Sequence, residues 1–180
     1  MPDVAASQST LIAQFASGRL GQTVGSGECF ALADQALRSV GTRSASDFGS
    51  ISPSADYVWG REVPLAQAQV GDVIQFRNFG FNETISTGIT RTDGSSESSE
   101  QNRSESRAHH TAIVASIGSN GQLMVYEQNV GGQRVVLHNQ LLFSAATIGP
   151  DSTTVNGVTT TITRTITVTG SAKFFRAQTR

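Results

Sequence analysis

Gly21-Gln22-Thr23-Val24-Gly25-Ser26-Gly27-Glu28-Cys29 runs directly into Phe30-Ala31-Leu32-Ala33-Asp34-Gln35-Ala36-Leu37-Arg38-Ser39-Val40-Gly41. The first half is a glycine-rich loop. The second carries Phe30, Leu32, Ala33, Ala36, Leu37 and Val40 on one stripe of a helix, and Gly41 closes it. Cys29 therefore stands where loop becomes helix. A thiol there meets unpaired N–H groups and the positive end of the helix dipole, and both favour thiolate. Lone cysteines are most often small buried hydrophobes. Here the apolar stripe is complete without Cys29, and the preceding glycines let another backbone approach closely.

Upstream, Leu11, Ile12, Phe15 and Leu20 give helical spacing over Gln8 to Leu20. Asp56-Tyr57-Val58-Trp59-Gly60 reads as an ordered loop with an aromatic anchor. From residue 70 the period shortens. Val70 to Phe76, His110 to Ile117, Gln122 to Gln128, Arg134 to His138 and Lys173 to Arg176 read as strands. Thr153 to Val155 and Val158 to Val168 flank Asn156-Gly157, a strong hairpin signal. Helices first and antiparallel strands afterwards make an α+β domain, one unit over residues 1–180. Asn82 to Ala108 is nearly all Ser, Thr, Glu, Arg and Gly, so it is expected to be a mobile polar insertion. The Thr-rich stretch 152–169 is expected to be a hairpin insertion or edge ribbon.

Thirteen basic against fourteen acidic residues give a net charge of -1, which argues against a nucleic-acid or anionic-lipid partner. No stretch approaches the roughly 20 apolar residues of a membrane span. Met1 to Gln8 has no basic n-region, so no secretory signal is expected; the chain would begin in its producer's cytoplasm and reach the outside by another route. One cysteine and three histidines without ligand spacing predict no metal and no cofactor.

A cysteine nucleophile needs a base, and His109 and His110 open a strand. Alternation alone does not decide between them. Glu127 and Asn129, two apart near the end of the next strand, share one face. Either could hold the far nitrogen of the imidazole. Gln22, seven residues before Cys29, is a candidate oxyanion donor beside the Cys29 backbone N–H. Trp59 and Tyr57 are candidates for the cleft wall, although burial is the commoner fate of such residues.

In order, Gly27-Glu28-Cys29, Gly71-Asp72-Val73-Ile74-Gln75-Phe76, His110-Thr111-Ala112-Ile113-Val114 and Glu127-Gln128-Asn129 resemble the CHAP branch of the NlpC/P60 papain-like amidases. Lys173-Phe174-Phe175-Arg176 is similar to that family's closing strand. Val24 to Cys29, Tyr57-Val58-Trp59-Gly60 and His109-His110 also resemble the cysteine-proteinase-like domain of some bacterial proteins and certain fungal actin-patch adaptors. The first resemblance implies a papain-like domain with Cys29 as nucleophile, His110 as base and Glu127 or Asn129 as third member. It implies hydrolysis of an amide in peptidoglycan, by a phage-type lysin or a delivered antibacterial effector; an effector would have an immunity protein plugging its cleft. The alternatives are a protein-directed thiol protease, isopeptidase or deamidase, and a non-catalytic interaction module. The family often carries Gln where this chain has Glu28.

Overall fold

A computed structural model describes all residues, Met1–Arg180. Two helices, α1 (Ala6–Ser17) and α2 (Cys29–Ser39), precede seven strands: β1 (Arg61–Val63), β2 (Val73–Arg91), β3 (Ser96–Ile117), β4 (Gln122–Val130), β5 (Gln133–Leu142), β6 (Ala146–Val155) and β7 (Val158–Arg176). They form one antiparallel sheet in the order β1-β7-β2-β3-β4-β5, with β6 beside β7. The α+β class holds.

The helices lie against the sheet. Ile12 and Ala16 of α1 and Leu32, Ala33, Ala36 and Leu37 of α2 pack with Val73, Ile113, Val136 and Phe175 from four strands. Trp59 sits in this core with no exposed surface, and its indole N–H donates to Gln75 at 3.2 Å. A second core gathers Ile74, Phe76, Phe79, Ala112, Val114, Val125 and Phe174, with Phe143 stacked among the aromatic rings. The Gly71-Asp72 pair joins helix to sheet. Gly71 has φ +87°, and a Cβ there would stand 2.0 Å from the Ser9 carbonyl oxygen of α1. The Asp72 carboxylate accepts from the Gln69 amide at 2.8 Å and pairs with Arg176 at 2.9 Å.

The segment 82–108 is not a mobile insertion. It is the far half of the β2–β3 hairpin, paired residue by residue from Asn82↔Ser104 to Thr90↔Ser96. On its other edge β2 pairs with β7 as far as Arg91↔Val158. β6 adds a fourth strand, folding back on β7 around Asn156-Gly157. The result is a ribbon whose backbone groups are satisfied by ladders, which is why composition alone misreads it. Thr84, Ser86, Gly88 and Thr90 share a face with Asn102, Glu100, Ser98 and Ser96 of β3 and Thr165, Thr163, Thr161 and Thr159 of β7. This face is almost entirely hydroxyl and amide. The opposite face holds Ile85, Ile89 and Ile162, and the Glu83 carboxylate with Arg164 and Arg103. At Asn78 (φ +50°) the β2–β7 register slips by one residue. The second core continues past this break to Phe81 and Ile166, and the ribbon extends beyond them.

Candidate active site

Two strands and one helix end meet at the site. The glycine loop before α2 is fastened to the sheet: the Gly21 amide donates to the Val136 carbonyl and the Val136 amide to the Gln22 carbonyl, each at 2.9 Å. Gln128 of β4, fully buried, completes the fastening. Its carbonyl accepts from the Val24 amide at 2.7 Å, and its amide donates to the carbonyls of Val24 and Glu28 at 3.0 and 2.9 Å. Cys29 is thereby fixed as the first residue of α2.

His110 stands two residues from Ala112, whose pairing with Glu127 is where the β3–β4 ladder ends. Beyond that point β3 leaves β4 and continues into the ribbon, which opens the sheet beside the imidazole. His110 and Cys29 line the same cleft, close enough for each to shift the other's titration, and His110 Nε2 lies 3.1 Å from Glu127 Oε2. Glu127 has no exposed surface. Its Oε1 accepts from Arg107 Nη2 at 2.5 Å and Asn139 Nδ2 at 2.8 Å, and its Oε2 accepts from Arg107 Nε at 2.8 Å.

The electrostatics follow from this chain of contacts. Burial pushes the Cys29 thiol up, but the hydrogen bond and charge of His110, with the Thr111 and Phe30 backbone amides, outweigh burial and hold it below its ordinary value. Burial likewise disfavours a charged His110, yet Cys29 and Glu127 together raise it. Burial would raise Glu127; Arg107 and His110 bring it down to about 2 instead. The three shifts run in the direction that favours charge on the thiol and on the imidazole, with an ionised carboxylate behind them.

Cys29 and His110 open onto a cleft of about 600 Å³. Phe30, Ile51, Pro53 and Tyr57 give it an apolar wall; Ser26, Glu28 and Asn129 lie on its polar side. The wall loop is tied down three times. Tyr57 Oη donates to the Ser52 carbonyl at 2.6 Å, His109 Nε2 to the Ala55 carbonyl at 2.7 Å, and Arg77 pairs with Asp56 at 2.7 Å.

The candidate residues therefore separate. Cys29, His110 and Glu127 come together. Asn129 lines the cleft, but its Nδ2 donates to Glu28 Oε2 at 2.7 Å, while Arg134 holds the other Glu28 oxygen at 2.9 Å. Two cleft candidates fall away. Gln22 is exposed and is not among the lining residues, because its backbone is engaged with β5. Trp59 is sealed in the helix–sheet core, and Tyr57 takes the cleft position. His138 is exposed and stacks on Tyr126. Arg107, Gln128 and Asn139 were not legible as site residues. Arg107 lies inside a stretch whose composition reads as solvated, and Gln128 is hidden between the more conspicuous Glu127 and Asn129.

Residues 2–146 match the model of the AIM3/BBC1 cysteine proteinase-fold domain. The chain belongs to this family. The match supports the similarity to the cysteine-proteinase-like domain of actin-patch adaptors and establishes a cysteine-proteinase fold, with Cys29, His110 and Glu127 all inside the matched span of this family's domain. No curated protein matches the chain significantly, and no solved structure does.

Proposed function

We propose that the protein is a cysteine hydrolase that cleaves an amide bond. The observation that carries this reading is the continuous Cys29–His110–Glu127 arrangement at the floor of an open cleft. An interaction module has no need of an activated thiol facing solvent.

The chemistry runs in two halves. Cys29 sulfur attacks the amide carbonyl carbon while His110 carries the thiol proton. The C–N bond breaks, His110 passes that proton to the departing amine, and a thioester remains on Cys29. Water then attacks the thioester with His110 as base, releasing a carboxylic acid and restoring the thiol. Glu127 keeps the imidazolium stable through both halves. The Cys29 backbone N–H, at the first helical position, has no intrahelical acceptor and is the candidate oxyanion donor. With Gln22 outside the cleft, the second donor is not a glutamine seven residues upstream.

The order of motifs shared with CHAP amidases puts peptidoglycan peptides first among substrates, and a protein amide second. If the chain is a delivered effector, an immunity protein that fills the cleft is its partner. Digestion of purified peptidoglycan and of unfolded protein, by wild type and Cys29→Ala, tests the reading. New products from one substrate, absent with Cys29→Ala, are expected. Identical products with both proteins on both substrates would remove it and favour the interaction module.

A further inference from the structure

We infer that Arg107 is a positioning residue for the Cys29–His110 pair, acting through Glu127. The inference rests on the thiol-hydrolase reading and adds a fourth member to its machinery.

Arg107 precedes His110 by three residues on β3, and its side chain is only 4% exposed. Strict alternation would send residues three apart to opposite faces. Here both reach Glu127, beside the Asn78 break in β2, where Phe79 pairs with Arg107. The guanidinium grips both oxygens of the carboxylate, which fixes the carboxylate plane as well as neutralising its charge. Its remaining nitrogen donates to Glu105 Oε2 at 3.0 Å and the Ser106 carbonyl at 2.8 Å, so the arginine cannot swing away.

The geometry at His110 explains why this grip matters. Nε2 is buried and lies 3.1 Å from Glu127 Oε2, yet it has no well-aligned hydrogen bond. The far side of the imidazole is therefore held by where the carboxylate charge sits rather than by directional bonding. Oε2 is shared with Arg107 Nε, so Arg107 decides where that charge sits. The other titratable groups around the pair are Tyr57 from the wall loop, His109, which lines the same cleft and is tied to the Ala55 carbonyl, and Glu105 behind the arginine; Glu28 is engaged by Asn129 and Arg134. Arg107 is the only cation in contact with Glu127 besides the imidazolium. Without it, thiol ionisation would leave the buried group with net negative charge, so the thiol would hold its proton to higher pH.

The test is the pH dependence of Cys29 alkylation by iodoacetamide in wild type, His110→Ala, Arg107→Gln and Arg107→Lys, with circular dichroism to verify folding. Arg107→Gln should move the inflection up by about one pH unit or more, about a fivefold fall in rate at the wild-type inflection and about tenfold well below it. Arg107→Lys, which keeps the charge, should stay near wild type. Should Arg107→Gln not fold, the neutral pair Arg107→Gln/Glu127→Gln leaves no unpaired buried charge. It too should move the inflection upward, because the imidazolium loses its carboxylate. A wild-type inflection that depends on His110 but is unchanged in the arginine variants overturns this inference alone. A wild-type thiol that titrates ordinarily and ignores His110 overturns both the inference and the reading beneath it.

Discussion

β2, β3 and β7 each pass through two regions held together by different physics. At one end they carry Ile74, Phe76, Phe79, Ala112, Val114 and Phe174, all buried in the aromatic core, and Val73, Ile113 and Phe175 against the helices on the other face. At the other they carry threonine, serine and glutamate with little apolar burial, held by ladders and hydroxyl pairs such as Ser152–Thr161 and Thr154–Thr159. The same strands change from a core sheet to a polar ribbon past Phe81 and Ile166, a few residues beyond Asn78, and His110 sits on the core side of that change. The core end fixes the site; the ribbon end only continues its hydrogen bonding. Perturbations at the two ends should therefore differ widely.

The largest loss should come from Trp59→Ala. It removes a fully buried indole and leaves Gln75 without that donor, so about 3–5 kcal/mol of stability should go, read as a lower denaturant midpoint. The cleft loop should loosen with it, since Tyr57 packs edge-on against Trp59.

Acid should act on the same end. Glu127 titrates at about 2 in the folded chain against an ordinary 4.5, so its contribution is complete above 4.5 and disappears as pH falls towards 2. That contribution is about 3 kcal/mol, and an unfolding series between pH 5 and 2 should show it. Glu127→Gln should flatten this part of the profile. A profile equally steep in wild type and Glu127→Gln would place the acid-sensitive group elsewhere.

The smallest effects belong to the ribbon. Thr161→Ala and Ser98→Ala, on its hydroxyl face, should change stability by no more than about 0.5 kcal/mol. They should also leave Cys29 alkylation unchanged. A shift in thiol reactivity from either would show that ribbon and site are coupled.

The same division explains what could be read in advance. The α2 stripe, the Cys29 position and the strands from Val70 to Gln128 were legible because apolar periodicity records burial. The ribbon was not, because its strands are stabilised by backbone pairing with a distant partner, β7, and composition carries no trace of that pairing. At the site, the His110–Glu127 pairing was within reach of motif order, but the choice between Glu127 and Asn129 depended on a strand register. Asn129 has φ +66° at the end of β4 and bonds Glu28, a turn in the backbone that two-residue alternation does not anticipate. Arg107 was invisible because it stands in a polar stretch three residues from His110, a spacing that two-residue alternation sends to the opposite face.

Whether Cys29 is an activated thiol is read from the pH profile of its alkylation. Wild type should show an inflection well below the free-thiol value of about 8.5, lost in His110→Ala. At pH 6 the two proteins should differ by a factor of about one hundred or more if the thiolate is fully formed, since a free thiol is then almost wholly protonated. An ordinary inflection near 8.5 in both proteins would contradict an activated thiol and leave the domain as a cysteine-proteinase fold without its chemistry.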